Sequence, residues 1–376
     1  MMKRTFLTLL ALMLLFGLCT FAQAEGEAPE ITQQCTFTYA PKCSGKNTMQ
    51  DASYLTYYTG SYLEITASEP CHGLYVSFAG REAPYLVQTR NDQGSWETLL
   101  LDDRCYANSY VALPGVTSIR LMLESRADIK IAEIHLFGEG EKPAWVQDWQ
   151  PFEGKADLLV LSAHGDDELL FFGGIIPYYT AEKQMKVIVC YLTDQTSCRR
   201  NELLDGLWTC GVRNYPSMGV FKDIKNDSLG ASYGFWGEKP VVDYVTSLFQ
   251  KYQPEVVLTH DLKGEYGHGA HRVCADAAIK ALDKAAQGEN AWQVKKLYLH
   301  LCKENAITFD WRQPLEAFSG MTAFDVAAAA FKCHKSQQSN GLRVEDTGAY
   351  ACNRFGLYFS TVGYDHSTPD LFENIP

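Results

Sequence analysis

Four short runs in the second half of the chain lack the alternation of a half-wet strand: "ADLLVLSA" (156–163), "MKVIVCYLT" (185–193), "EVVLTH" (255–260) and "KKLYLHL" (295–301). A strand with one solvated face alternates apolar and polar residues, so continuous apolar runs belong to strands covered on both faces. Between them lie stretches of helical spacing, "RRNELLDGLWTCG" (199–211), "PVVDYVTSLFQKY" (240–252) and "HRVCADAAIKALDKAAQ" (271–287). This alternation predicts a layered α/β fold around a parallel sheet. In such folds, sites gather beyond the carboxyl ends of the strands.

The first half has a different period. "SYLEITAS" (61–68), "GLYVSFAG" (73–80), "APYLVQTR" (83–90), "SIRLMLES" (118–125) and "IKIAEIHLFG" (129–138) mostly alternate, with turn residues between them and no convincing helix. Evenly spaced strands of this kind predict an all-β sandwich or jelly roll over residues 25–138. Residues 139–152, "EGEKPAWVQDWQPF", read as a linker whose Trp145 and Trp149 pack where the two halves meet. Residues 153–376 then form the α/β domain.

The start, "MMKRTFLTLLALMLLFGLCTFAQA", has a basic opening, a short apolar run and an Ala-Gln-Ala ending, which predicts a signal peptide cleaved near Ala24 and a secreted product. The run is too short to span a bilayer comfortably, so no stable membrane insertion is expected. Cys19 follows the bulky Leu18, an argument against a lipid anchor. The formal charge of −12 deepens by two when Lys3 and Arg4 leave, and such a field repels nucleic acid and anionic lipid. Of 12 cysteines, removal of Cys19 leaves an odd number, so at least one lacks an intramolecular partner. No CxxC pair suggests a structural zinc cluster, and no GxGxxG follows a strand, so no dinucleotide is expected.

Chemistry concentrates at two strand ends. "SAHGDDELL" (162–170) follows the first buried run and crowds three acids behind a histidine. Adjacent carboxylates repel strongly when desolvated, so a buried cluster of them needs a cation or a proton. His164 and Asp167, three apart, can clasp one metal from a single turn. A catalytic zinc usually takes three protein ligands plus water. The third is available in "VVLTHDLKGEYGHGAHRVCADA", where His268 and His271 open a helix; either can complete the metal site while the other acts on substrate. Two histidines, one carboxylate and an open position suit a hydrolytic zinc, although iron or cobalt match the same donors. Asp166 is then the natural base for the attacking water. Glu168 reads as a packing or capping acid, Cys274 as helix packing, and His260, His300 and His334 as structural or exposed.

"AHGDDE" resembles the AHPDDE motif, and "YGHGAH" the YGHPDH motif, of the LmbE-like or PIG-L family of zinc-dependent N-acetylglucosaminyl deacetylases, over residues 153 to about 340. The resemblance implies a Rossmann-like layered sheet and one Zn²⁺ held by His164, Asp167 and His271. It makes Asp166 the general base, His268 the cationic partner of an oxyanion, and Tyr266 a polarising group. It further implies substrate contacts from Arg199, three before Glu202, and from Asp223 in "MGVFKD"; "CHKSQ" (333–337) matches a structural C-terminal element. Three positions depart from the motifs. Gly165 replaces a proline, which should loosen its turn, and Gly269 and Ala270 replace Pro and Asp, removing an acid that could tune His268. The ending "ADIKIAEIHLFGEG" resembles the last strand of discoidin-like, galactose-binding-type sandwiches, implying glycan or cell-surface contact through the N-terminal domain.

The resulting expectation is a secreted hydrolase that removes the acetyl group from an N-acetylglucosamine-type sugar or glycoconjugate. Two alternatives compete with it: a glycan-binding or adhesion protein with a degenerate catalytic domain, and a metallo-amidase acting on a non-sugar amide.

Overall fold

A computed structural model describes residues 26–80, 83–365 and 369–375. The expected signal peptide lies outside the described residues. Among the described residues no helix is long and apolar enough to cross a membrane.

The N-terminal region is β-rich and antiparallel, an eight-stranded sheet built on two long partners, Leu63–Phe78 and Asn108–Leu123. Its core is a cluster of Tyr58, Leu63, Ile65, Leu74, Val76, Val87, Leu121 and Ile131. The two strands expected over 61–68 and 73–80 are one bent strand. Its register with Asn108–Leu123 shifts between Thr66 and Cys71 and again between Cys71 and Gly73. Pro70 lies in that stretch, and Pro114 with Gly115 (φ +83°) in the partner. Proline cannot donate to the ladder, so residues that read as a turn make a bulge inside a continuous strand.

The second half is the α/β domain, with a six-stranded sheet. Four strands are parallel, in the order Val187–Tyr191, Leu158–Ser162, Val256–Thr259, Lys296–His300. Every residue of these four strands is buried, with one apolar cluster on each face of the sheet. The sheet is not wholly parallel as expected. Arg354–Ser360 and Ala306–Thr308 complete it antiparallel, because the chain returns from its C-terminal loops to cover an edge that a parallel strand would need another crossover helix to reach. From Leu158–Ser162 the chain moves first to one side of the sheet and later to the other. The reversal falls between Leu158–Ser162 and Val256–Thr259, which pair directly. Ligand sites of open α/β sheets lie at this switch point.

The two halves meet along the helix Ser197–Thr209, capped by the Thr196 side chain. Positions 201, 205 and 208 lie on one helical face. Asn201 Nδ2 donates to Phe78 O at 3.1 Å, Asp205 accepts from Tyr54 Oη at 2.9 Å and Gln147 Nε2 at 2.6 Å, and Trp208 Nε1 donates to Ala144 O at 2.9 Å. Trp149 of the connecting segment is buried edge-on against Trp208. Trp145 is 47% exposed and stands edge-on to Tyr75 and His135 instead.

Burial pushes the Asp205 carboxyl up from 3.8 to about 6 against the hydrogen bonds of Tyr54 and Gln147. The folded state therefore binds the proton more tightly than the unfolded chain, and the contribution of Asp205 to stability declines as pH rises from 3.8 to about 6. Urea unfolding across this window should show the Asp205→Asn variant gaining stability relative to the wild type as pH rises from 3.8 to about 6. Parallel curves would remove Asp205 as the cause.

Candidate active site

The turn after Leu158–Ser162 carries the first group of residues. The His164 backbone N–H donates to Asp167 Oδ2 at 3.0 Å, and the His164 ring meets the same oxygen through Nδ1 at 2.8 Å. Asp166, between them in sequence, has φ 141°, a conformation costly for any side chain. Glu168 braces it by accepting the Asp166 N–H at 2.8 Å. Glu168 thus holds the strained turn itself, and its other oxygen lies 3.4 Å from the buried His334 Nε2. Gly165 is not loose: a Cβ there would lie 2.9 Å from Leu203 Cδ2 on the helix Ser197–Thr209.

The loop after Val256–Thr259 carries the second group. Its organising residue is Glu265, fully buried. Glu265 Oε2 accepts from His260 Nδ1 at 2.8 Å and His271 Nδ1 at 2.7 Å, and Oε1 faces His300 Nδ1 at 2.6 Å. The backbone N–H of Ala163 donates to His260 Nε2 at 3.0 Å, tying this cluster to the first turn. With Nδ1 held on Glu265, His271 turns its Nε2 toward Asp167 Oδ2, 3.1 Å away. Gly269 is needed here, since a Cβ would fall 2.0 Å from Asn226 Oδ1.

His164, Asp167 and His271 converge, with one donor atom from each inside a 4.8 Å span. The buried Nε2 atoms of His164 and His271 each face a carboxylate oxygen, Asp223 at 3.4 Å and Asp167 at 3.1 Å. Two buried imidazole nitrogens converging on a carboxylate fit a divalent metal, and a carboxylate behind a ligating imidazole is the usual way to fix its tautomer. His260, Glu265 and His271 form a second compact group, but their facing atoms are already spent on hydrogen bonds to one another. The surroundings are negative enough to keep protons on both imidazoles. Burial lowers their affinity for protons, yet Asp167 overrides it and raises His164 to about 9 and His271 to about 10. A dication would take the place of these protons.

The two adjacent aspartates diverge. Burial, then the charge of Asp167, pushes Asp166 up to about 7 against the pull of Arg199. Burial acts on Asp167 too, but His271 and His164 hold it well below the usual carboxylate range. One carboxylate stays ionised among cations while its neighbour is poised near neutrality, a separation suited to different tasks.

The remaining residues surround this centre. Arg199 Nη2 donates to Gly165 O at 2.8 Å and Asp166 Oδ1 at 3.0 Å. It does not pair with Glu202, whose carboxylate binds Ser336 N at 2.7 Å and Oγ at 2.5 Å. Asp223 stands at the mouth, 44% exposed, 3.4 Å from His164 Nε2 and 3.7 Å from Arg199 Nη1. Tyr266, half-exposed at φ 44°, sets its ring edge-on to those of His271 and His268. The surroundings of His268, expected as a cation, disfavour the charged ring. Burial first, then the fields of His164 and His271, lowers its pKa to about 4. Its Nδ1 accepts from Ala270 N at 3.2 Å, so the neutral ring carries its proton on Nε2. Sequence reasoning missed Glu265, His260 and His300 as a supporting cluster. Their signal was position, for His260 directly follows one parallel strand and His300 ends the next.

Comparison with known proteins bears on the same stretch. Residues 159–282 match the family model described as PIG-L, GlcNAc-PI de-N-acetylase. This segment is a PIG-L/LmbE-like domain. It is 26% identical over 201 residues to a 1D-myo-inositol 2-acetamido-2-deoxy-alpha-D-glucopyranoside deacetylase of Geodermatophilus obscurus, covering 44% of this chain and 66% of that protein. The deacetylase of the same name from Nocardiopsis dassonvillei is 27% identical over 172 residues, covering 37% of this chain and 61% of that one. The chain thus spans under two thirds of the length of these curated relatives. Among solved structures, the N,N'-diacetylchitobiose deacetylase of Pyrococcus horikoshii aligns over 50% of this chain and 72% of its own, at 18% identity and a TM-score of 0.38.

The Glu265 cluster makes a specific prediction about the PIG-L/LmbE-like domain. Glu265→Gln should lower zinc affinity roughly 10- to 100-fold, as loss of a carboxylate behind a metal-bound imidazole does elsewhere. Competition with a chromophoric chelator measures this directly. Unchanged affinity would show that Glu265 plays no part in presenting His271.

Proposed function

We propose that the protein is a secreted, zinc-dependent deacetylase acting on an N-acetylglucosamine-type sugar or glycoconjugate. The supporting observation is the convergence of two buried imidazoles, His164 and His271, on Asp167 beside an Asp166 whose pKa is raised to about 7. The family match over residues 159–282 and the names of the relatives favour the N-acetyl sugar over other amides. Export rests on the leader ending near Ala24.

His164, Asp167 and His271 would hold the metal. When bound, a divalent ion supplies Lewis acidity, lowering the pKa of water and polarising a carbonyl. Asp166 takes a proton from the water as its oxygen attacks the acetyl carbon. Arg199 holds the Asp166 carboxylate in place through Oδ1, while Asp223 and the rest of the Arg199 guanidinium face incoming sugar hydroxyls. The developing oxyanion is met by the Nε2–H of neutral His268 and the phenol of Tyr266, whose ionisation burial opposes. The carbon–nitrogen bond then breaks, Asp166 passes its proton to the departing amine, and acetate and a free amino sugar result. Ala270 does not deprive this scheme of a proton donor, because its backbone N–H occupies His268 Nδ1 and keeps the ring proton on Nε2.

The test is acetate release from a panel of N-acetylglucosaminyl glycosides, with metal content measured on the same samples. Asp166→Asn should lower turnover by roughly 10²- to 10⁴-fold while the metal stays bound. Full activity in that variant would reject Asp166 as the base. In the wild type, kcat/KM should decline on the acid side as Asp166 takes a proton, in the window leading down from about pH 7. A rate that instead rises as the pH falls would contradict a carboxylate base.

A further inference from the structure

Between the N-terminal region and the α/β domain lies a cavity of about 390 Å³, and none of its lining residues belongs to the candidate active site. That volume is in the range of pockets for small organic ligands. Its walls are aromatic, with Tyr54 and Tyr75 from the N-terminal region, Trp145 from the connecting segment and Trp208 from the docking helix. Trp145 stands at 87° to Tyr75 and 76° to His135 and is tilted against Phe137, yet nearly half of it remains exposed.

Two carboxylates reach the same space. Glu133 is 6% exposed and accepts the Ser53 N–H at 2.9 Å. Asp205 enters from the opposite half, and both act electrostatically on the buried phenol of Tyr54 between them. Burial pushes Glu133 up to about 7 against the Ser53 N–H and the field of His135, and Asp205 up to about 6 against the hydrogen bonds of Tyr54 and Gln147 and the field of Lys335. Among the described residues no lysine, arginine or histidine nitrogen forms an ion pair with either. Lys335 on the lining donates to Ala52 O at 3.1 Å, and His135 pairs with Glu30 at 2.8 Å. Ser77 also lines the cavity, its buried Oγ beside the phenol of Tyr75. Two buried carboxylates and a hydroxyl facing one cavity call for a polar, positively charged guest.

We propose that this cavity is a second ligand site, taking a monosaccharide-sized amino sugar with a free ammonium group. Aromatic faces receive the apolar side of a sugar ring and attract a cation. Glu133 and Asp205 supply the counter-charge, and Ser77 Oγ a hydrogen bond to a hydroxyl. A neutral N-acetyl sugar or a simple hexose satisfies only part of this set. The site stands on the cavity and its lining, independently of the proposed reaction.

Calorimetric titration of the full chain with D-glucosamine, N-acetyl-D-glucosamine, D-glucose and tetramethylammonium tests the assignment. Glucosamine should bind at least roughly tenfold more tightly than the other three, a difference of one decade in Kd. Glu133→Gln and Trp145→Ala should each weaken it by a similar factor, with deacetylation unchanged, and His271→Ala should leave it intact. Absence of glucosamine binding, equal binding of all four probes, or binding that survives both cavity variants would overturn the proposal. Loss of binding in His271→Ala would move the ligand to the other site and overturn it as well.

Discussion

A carboxylate that no solvent reaches cannot remain ionised unless cations or strong donors surround it. Glu265 is such a group, and its solution is three imidazoles at 2.6–2.8 Å. The burial of Glu265 alone would raise its pKa, but His260, His271 and His300 hold it well below the usual carboxylate range. Each histidine comes from a different element: one follows a strand, one opens a helix, and one ends the neighbouring strand. A single carboxylate therefore ties two parallel strands and the helix Gly269–Ala285 to one point. Its consequence for chemistry is the orientation of His271, whose Nε2 is turned toward Asp167.

From that orientation the rest of the site follows by charge. Asp167 lies between His164 and His271 and stays anionic; Asp166, one residue earlier, has burial and Asp167 against it and Arg199 in its favour. Asp166 carries its strained φ on a short turn, which the Glu168 carboxylate and the Gly165–Arg199 contact hold. Neighbouring residues of the same type thus acquire different proton affinities from position alone.

Much of this was legible in the chain, and the gaps have physical causes. The four apolar runs mark the parallel strands to within two or three residues, because burial on both faces leaves no alternation to misread. His164, Asp166, Asp167 and His271 were legible since they sit at strand ends, and the structure brings them together at the switch point. Glu265 and His300 were not, because 35 residues separate them in sequence and only the sheet pairs them. The bent strand Leu63–Phe78 was read as two because Pro70 signals a turn locally, while its pairing with Asn108–Leu123 is a long-range outcome. Gly165 was read as loosening its turn, and Gly269 with Ala270 as the loss of an acid; Leu203 and Asn226 lie where a Cβ at Gly165 or Gly269 would fall. Charge alone did not reveal the downward pull on the His268 pKa, which comes from its burial beside two other imidazoles.

The central claim is that His164, Asp167 and His271 bind one metal ion at the mouth of the Glu265 cluster. An anomalous-difference map from crystals grown with zinc tests it most directly. The account predicts a single strong peak about 2.0–2.3 Å from a His164 ring nitrogen, an Asp167 carboxylate oxygen and His271 Nε2. No peak there, or a peak among His260, Glu265 and His271 instead, would contradict it.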